Sequence, residues 1–82
     1  MENVVGKVTH YFPKIGVAVI MLEDALTNGD RIHIRGTHTD FTQTVSSMQV
    51  EHTTITSAVQ GQDIGMKVIQ NVHAGDVVYR VG

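Results

Sequence analysis

The sequence predicts an all-β domain, a small closed β-barrel of about six strands. Short segments rich in Val, Ile and Thr alternate with turns in which glycine stands next to Asp or Asn. This pattern is typical of β-strands joined by tight turns. No segment sustains the helical period. With 82 residues, the chain 1–82 is expected to form a single domain. Closure of the sheet would remove its exposed edges.

The first two strands are predicted on either side of a proline turn. Asn3 to Tyr11 alternates between an apolar and a mixed face. Phe12-Pro13-Lys14 is a turn, because proline cannot donate a ladder hydrogen bond. Ile15 to Leu22 is apolar on both faces, which predicts a central strand that is also covered on its outer side. Barrel closure or a partner surface would each explain that pattern.

The middle of the chain predicts two further strands. Thr27 to Asp30 is a turn with Asn-Gly at its centre, and Asp30 to Gly36 alternates cleanly behind it. Its inward residues are Ile32 and Ile34, and its outward residues are Arg31, His33 and Arg35. After a polar loop, a long fourth strand runs from Phe41 or Thr42 to Glu51, with a β-bulge near Ser46-Ser47.

Two strands complete the predicted barrel. His52 to Ser57 reads as a loop, and the segment around Ala58 is the one place where a helical turn is considered. The chain then passes through Gly61 into a strand from Asp63 to Ile69. A turn over Asn71 to Asp76 precedes the last strand, Val77 to Val81.

Composition narrows the classes of function. The absence of cysteine excludes disulfides, thiolate nucleophiles and cysteine-ligated metals, and it favours the cytoplasm. The net charge of −2 argues against indiscriminate binding to nucleic acid. No basic segment followed by an apolar one predicts a secretion signal. The longest apolar run, Ile15 to Leu22, is far shorter than the roughly 20 residues of a membrane helix, so no membrane contact is expected.

Catalytic motifs are not evident in the sequence. Five histidines suggest a metal site, with His33, His38 and Asp40 close in sequence, but no spacing makes three ligands converge. The serines lack a nucleophile elbow, and no phosphate loop predicts nucleotide binding. We therefore expect a chain that is not an enzyme and needs no metal or cofactor. A histidine-based enzyme is the remaining catalytic alternative.

A basic surface is the main candidate for binding. Most acidic residues fall in predicted turns, whereas most basic residues fall in predicted strands, where a barrel must point them outward. Neighbouring strands would join them into a patch that holds phosphates, with Tyr11, Phe12 or His33 stacking on a base. The candidate contact residues are Lys7, Lys14, Arg31, His33, Arg35, Lys67 and Arg80. The alternative is that these charges are dispersed and serve solubility.

Several short motifs carry a family resemblance. They are Gly6-Lys7-Val8, Gly29-Asp30-Arg31-Ile32, Val45-Ser46-Ser47-Met48, the segment Ala58 to Gly65, and Ala74 to Val78. In this order they resemble the second, β-barrel domain of the elongation factor Tu family of translational GTPases. That resemblance implies a translation-protein barrel. It also implies contacts with tRNA and the ribosome, although the charge of Asp63 in the matching loop would repel phosphate.

A longer segment resembles two further groups. Lys7 to Val19 together with Phe41-Thr42-Gln43 is similar to small free-standing elongation factor-like proteins. The same residues are similar to the C-terminal barrel of collagenase-like peptidase family proteins. The nucleotide-binding and third domains of the elongation factor are missing, so the resemblance implies a fold and a binding habit without factor activity.

Two functions follow from the sequence. The first is a non-enzymatic module that contacts RNA or a ribonucleoprotein through the basic residues. The alternative is an accessory domain that docks on a separate enzyme or GTPase, or on itself as a homo-oligomer. This alternative uses apolar surface around Ile15 to Leu22 and Tyr79.

Overall fold

The computed structural model describes residues 2–82, which form ten β-strands and no helix. The strands are β1 (Glu2–Phe12), β2 (Val17–Leu22), β3 (Leu26–Thr27), β4 (Arg31–Arg35), β5 (Asp40–Thr44), β6 (Met48–Val50), β7 (Thr53–Ile55), β8 (Ser57–Ala58), β9 (Asp63–Lys67) and β10 (Val77–Val81). With only strands and turns over residues 2–82, no helix is available there to span a membrane. The predicted all-β class is confirmed.

Eight of the strands form one antiparallel sheet in the order β5-β4-β10-β1-β2-β9-β6-β7. The short strands β3 and β8 pair with each other in a separate ribbon. The period-2 alternation of β2, β4 and β9 sends every second side chain into one core. The largest fully buried side chains include Ile20, Leu22, Ile32, Ile34, Met48, Ile64 and Met66.

The hydrogen-bond ladder does not close into the predicted barrel, because β5 and β7 are the two ends of the sheet and do not pair with each other. A buried side chain joins β5 to the end of β9 instead. Gln43, 6% exposed, donates from Nε2 to the carbonyl of Lys67 at 3.0 Å. Its Oε1 accepts from the N–H of Ile69 at 2.9 Å. A side-chain amide thus satisfies backbone groups that a neighbouring strand would otherwise pair.

Several predicted strands are confirmed with small changes at their ends. Asn3 to Tyr11, Asp30 to Gly36 and Val77 to Val81 correspond to β1, β4 and β10. The predicted strand Ile15 to Leu22 begins only at Val17. The two preceding residues belong to the turn, since both of their N–H groups donate to the carbonyl of Phe12 and Gly16 has a φ of 65°.

The segment from residue 41 to residue 58 was predicted wrongly. The long fourth strand is two strands, β5 and β6, because the chain leaves β4 at Val45 and crosses to pair with β9. Val45 is buried in that crossing, where it exchanges backbone hydrogen bonds with Gly29 and Asp30. The predicted loop at 52–57 contains β7. The segment around Ala58, where a helical turn was an option, is strand β8, which pairs with β3.

Candidate functional site

The predicted basic surface is only partly assembled. Strands β4, β10 and β1 are neighbours, and Arg31, His33 and Arg35 follow one another on the outer face of β4. Lys7 on β1 lies in the same row as Arg35, separated from it by Val77 of β10. Four of the seven predicted contact residues therefore share one side of the sheet.

Acidic residues lie within that side. Nδ1 of His33 is 2.7 Å from Oε2 of Glu2, and its Nε2 is 2.5 Å from Oδ1 of Asp40. The hydrogen bond to Asp40, followed by the one to Glu2, raises the pKa of His33 above its usual value. The same contact lowers the pKa of Asp40, which also pairs across the ladder with Arg35. A phosphate approaching β4 would meet two carboxylates, so this face has mixed charge.

The other three predicted contact residues lie elsewhere. Lys67 is on β9, which β2 separates from β1, and Lys14 is in the turn before β2. Arg80 was expected to point outward. It pairs across the ladder with the inward residue Ile32, and its guanidinium contacts Asp24 at 3.0 Å. This ion pair holds the Arg80 side chain away from the outer face of β4.

Two tyrosines predicted to take part in binding, Tyr11 on a base and Tyr79 in an apolar surface, lie in different parts of the fold. Tyr11 packs against the core, and its hydroxyl donates to Oδ1 of Asn71 at 2.9 Å. Tyr79 lies beside His33 on β10, with ring centroids 6.4 Å apart, two strands away from β2. Neither residue extends the apolar surface around β2.

The histidines do not build a metal centre over residues 2–82, where no group of three His, Asp or Glu side chains is placed to hold a metal ion. His38, which is close to His33 in sequence, lies against His73, with ring centroids 6.1 Å apart. The buried Asp76 accepts the backbone N–H of His73 at 2.8 Å. A Cβ at Gly36 would overlap the carboxylate of Asp76. Asp76 therefore closes a turn against a glycine, which is a structural role.

An apolar hollow lies on the outer face of β2 and β9, on the side of the sheet away from the core. We call it the β9 trough. Its cavity of about 240 Å³ is lined by Phe12, Ile15, Val17, Val19, Gln49, Gly65 and, at its polar rim, Glu51 and His52. Val19, Gly65 and Gln49 form one row across β2, β9 and β6. Phe12 and Ile15 stand beside it and are 45% and 59% exposed. The outer apolar face predicted for Ile15 to Leu22 is thus a real surface.

Gly65 makes the hollow, and the fold does not require a glycine there. A Cβ at this position would have its nearest neighbour, Cγ1 of Val17, at 3.5 Å, an ordinary contact. Gly6 on β1 differs, because its Cβ would be 2.7 Å from the carbonyl oxygen of Met21 and 2.8 Å from Cγ2 of Ile20. A glycine inside a strand weakens it and often marks the close approach of a ligand or another backbone.

The two ends of the trough carry opposite charges. Lys67 stands at one end, beside Ile15 and Ser47. Asp63 stands at the other end together with Glu51. None of these three charged side chains forms an ion pair with any residue in the range 2–82. The trough therefore has an apolar centre, with the positive charge of Lys67 at one end and the negative charges of Asp63 and Glu51 at the other.

Comparison with known proteins finds similarity to part of one protease and to the fold of two solved domains. No protein-family model matches the sequence. An uncharacterized protease of Methanocaldococcus jannaschii is 37% identical over 76 residues, which are 92% of this chain and 19% of the protease. The chain therefore spans about a fifth of the length of that relative.

Two crystal structures share the fold. Both are of the C-terminal domain of a "putative U32 peptidase" from Geobacillus thermoleovorans, one of them a selenomethionine variant. The first superposes with a TM-score of 0.91 at 20% identity, covering 98% of this chain and 93% of that domain. The selenomethionine variant gives 0.88 at 22% identity, covering 93% and 96%. At these identities the likeness concerns the fold.

These relatives support one of the resemblances drawn from the sequence. They agree with the C-terminal barrel of collagenase-like peptidase family proteins, and none of the three is a translation factor. Sequence reasoning missed the trough itself. The available signal was Gly65 at an outward position of β9, but its partners on β2 and β6 become evident only with the strand order.

Proposed function

We propose that this chain is a non-catalytic accessory domain that makes protein–protein contacts through the β9 trough. The observation that carries the proposal is the exposed apolar hollow on the outer face of a sheet whose inner face already has a complete core. Exposed apolar surface rimmed by polar groups is typical of interaction sites. Aromatic and aliphatic side chains such as Phe12 and Ile15 are the usual anchors of such sites.

The similarity to part of a protease supports an accessory role. The matched region is about a fifth of that relative, which leaves most of the protease outside the match. Within residues 2–82 of this chain, no cluster of metal ligands supplies a catalytic centre. We therefore propose that the domain positions or anchors a peptidase-type polypeptide, either in the same chain or in a separate one.

Binding of RNA through β4 is the competing function, and the geometry weakens it. The carboxylates of Glu2 and Asp40 contact the imidazole of His33 in the middle of the basic face. Arg80 is engaged by Asp24, and Lys67 lies at the trough. Fewer cations are free to release counterions from a phosphate backbone, which is the source of non-specific affinity.

The test is recovery of the tagged 82-residue chain from an extract of its own cells, with and without nuclease. Ile15→Asp places a charge at the trough. Val59→Asp is its matched control, because Val59 is equally exposed at 61% and lies outside the trough. We expect a peptidase-type protein to be recovered by the wild type and by Val59→Asp. It should resist nuclease and fall at least about tenfold with Ile15→Asp.

Two results would contradict the proposal. One is a bound species that disappears with nuclease and is lost from an Arg31→Glu, Arg35→Glu double variant. The other is a peptidase-type partner that Ile15→Asp and Val59→Asp retain equally.

A further inference from the structure

We propose that the β9 trough docks against the same trough of a second copy of this chain, in an antiparallel two-fold arrangement. This inference rests on the proposed function, because it uses the same protein-contact surface; a second copy and a peptidase-type polypeptide would compete for the trough. It starts from the order of residues along two neighbouring strands. The outward residues of β9 are Asp63, Gly65 and Lys67, and those of β2 are Met21, Val19 and Val17.

The charges on β9 are antisymmetric about Gly65. Asp63 and Lys67 are both exposed, and each is two residues from Gly65, which places them about 13 Å apart. Consider a two-fold axis that lies in the plane of the interface, perpendicular to the strands, and passes over Gly65. It reverses the strand direction in the second copy. Each Lys67 then faces Asp63 of the other copy, so two ion pairs form. An axis parallel to the strands would instead bring each Lys67 against its own copy.

The residues on β2 fit the same axis. In the ladder, Val19 stands beside Gly65, so the axis also crosses Val19. Val17 is then opposite Met21, which is 38% exposed. Apolar side chains therefore meet apolar side chains on one strand while opposite charges meet on the next. Self-complementarity of this kind is the requirement for an isologous interface.

The row that lies on the axis carries no charged side chain. A residue on a two-fold axis meets its own copy, so a charge there would be repelled. The row consists of Val19, Gly65 and Gln49. Two valines pack against each other, two amides hydrogen-bond to each other, and the glycine leaves the two sheets free to approach. This placement explains why β9 has a glycine at a position where the fold accepts a side chain.

The available area suits a weak dimer. A specific interface buries roughly 800 Å² per partner, about a sixth of this chain's accessible surface of 4861 Å². The few exposed apolar residues around the trough predict a dissociation constant of about 10 to 100 μM. Association is therefore expected only at high concentration.

Analytical ultracentrifugation between about 5 μM and about 1 mM tests the inference. The mass of the wild type should rise from 9.0 kDa toward twice that value. Lys67→Glu and Asp63→Lys should each remain monomeric, because each brings two like charges together. Arg35→Glu, an equal reversal of charge on β4, should associate like the wild type.

An equimolar mixture of Lys67→Glu and Asp63→Lys is the decisive sample. At one contact the new carboxylate at position 67 of the first variant faces the new ammonium at position 63 of the second. At the other contact the native residues Asp63 and Lys67 face each other. Both contacts are therefore attractive in the mixed dimer, and the mixture should associate although its separate components do not.

A wild type that stays at 9.0 kDa at the highest concentration would overturn the inference, and so would a mixture that behaves like its separate components. Failure of the proposed function is distinguishable. If the chain is monomeric but Ile15→Asp still loses a peptidase-type partner from the extract, only the self-association is wrong.

Discussion

The glycines at positions 6 and 65 are expected to respond in opposite ways to alanine. Replacing a strand glycine by alanine reduces the entropy of the unfolded chain and stabilises the fold by about 0.5 to 1 kcal/mol where the new methyl fits. At Gly65 it fits, because the nearest atoms are Cγ1 of Val17 at 3.5 Å and the carbonyl oxygen of Gln49 at 3.9 Å. Gly65→Ala should therefore stabilise the domain by that amount.

At Gly6 the methyl does not fit. It would be 2.7 Å from the carbonyl oxygen of Met21, and a backbone atom cannot rotate aside. Overpacking of this kind costs about 1 to 3 kcal/mol and outweighs the entropic gain. The entropic gain is common to both alanine variants, so they should differ in stability by the overpacking cost of about 1 to 3 kcal/mol, which corresponds to roughly 4 to 24 °C in Tm for a domain of this size.

Thermal and urea unfolding followed by circular dichroism measure this difference. Gly65→Ala should also associate less strongly than the wild type although it folds better, because its methyl group enters the trough. A purely structural glycine would not separate those two readouts. A Gly65→Ala variant that is less stable than the wild type by about 1 kcal/mol or more would refute the claim that the fold accepts a side chain at position 65.

Four further variants test other parts of the structure. Gln43→Leu should cost about 1 to 3 kcal/mol in urea unfolding, because it removes two part-buried hydrogen bonds, to the carbonyl of Lys67 and from the N–H of Ile69; a loss below about 0.5 kcal/mol would mean that the amide does not hold β5 to β9. Asp40→Asn should lower the pKa of His33 toward 6.5 in an NMR titration, and an unchanged pKa would contradict the hydrogen bond. Because folding raises that pKa, the stabilisation by His33 should be complete below about pH 6.5 and disappear as the pH rises through the folded-state value, so wild type and His33→Gln should converge in Tm at alkaline pH. Arg80→Met should cost about 1 kcal/mol or less, since its ion pair is partly exposed, and should leave association unchanged.

The fold class could be predicted from local sequence patterns. The short pairing strands and the point where the chain crosses between strands could not. Strand β4 alternates strictly, and β10 directly follows a Gly-Asp turn, so the limits of both could be predicted within a residue. Strands β3, β7 and β8 have only two or three residues and exist because a partner strand lies beside them. The break at Val45 likewise depends on where the chain must cross to reach β9. Contacts of this kind leave no period in the sequence.

The candidate site shows the same division. The apolar outer face of β2 could be predicted, since its residues are apolar at both parities. The basic face could not be judged without the strand order, which brings Glu2 and Asp40 against His33 and takes Lys67 away to β9. Charge in a sequence predicts which residues are exposed. The ladder register decides which of those charges neutralise one another.

The central claim, that the β2–β9 face and not the β4 face makes the macromolecular contact, is tested most directly by site-specific photocrosslinking in living cells. A photoreactive amino acid is placed at Ile15 in one variant and at Arg31 in another. We expect an adduct from position 15 that survives ribonuclease and is destroyed by protease, with no comparable adduct from position 31. An adduct that forms from position 31 alone and is destroyed by ribonuclease would contradict it.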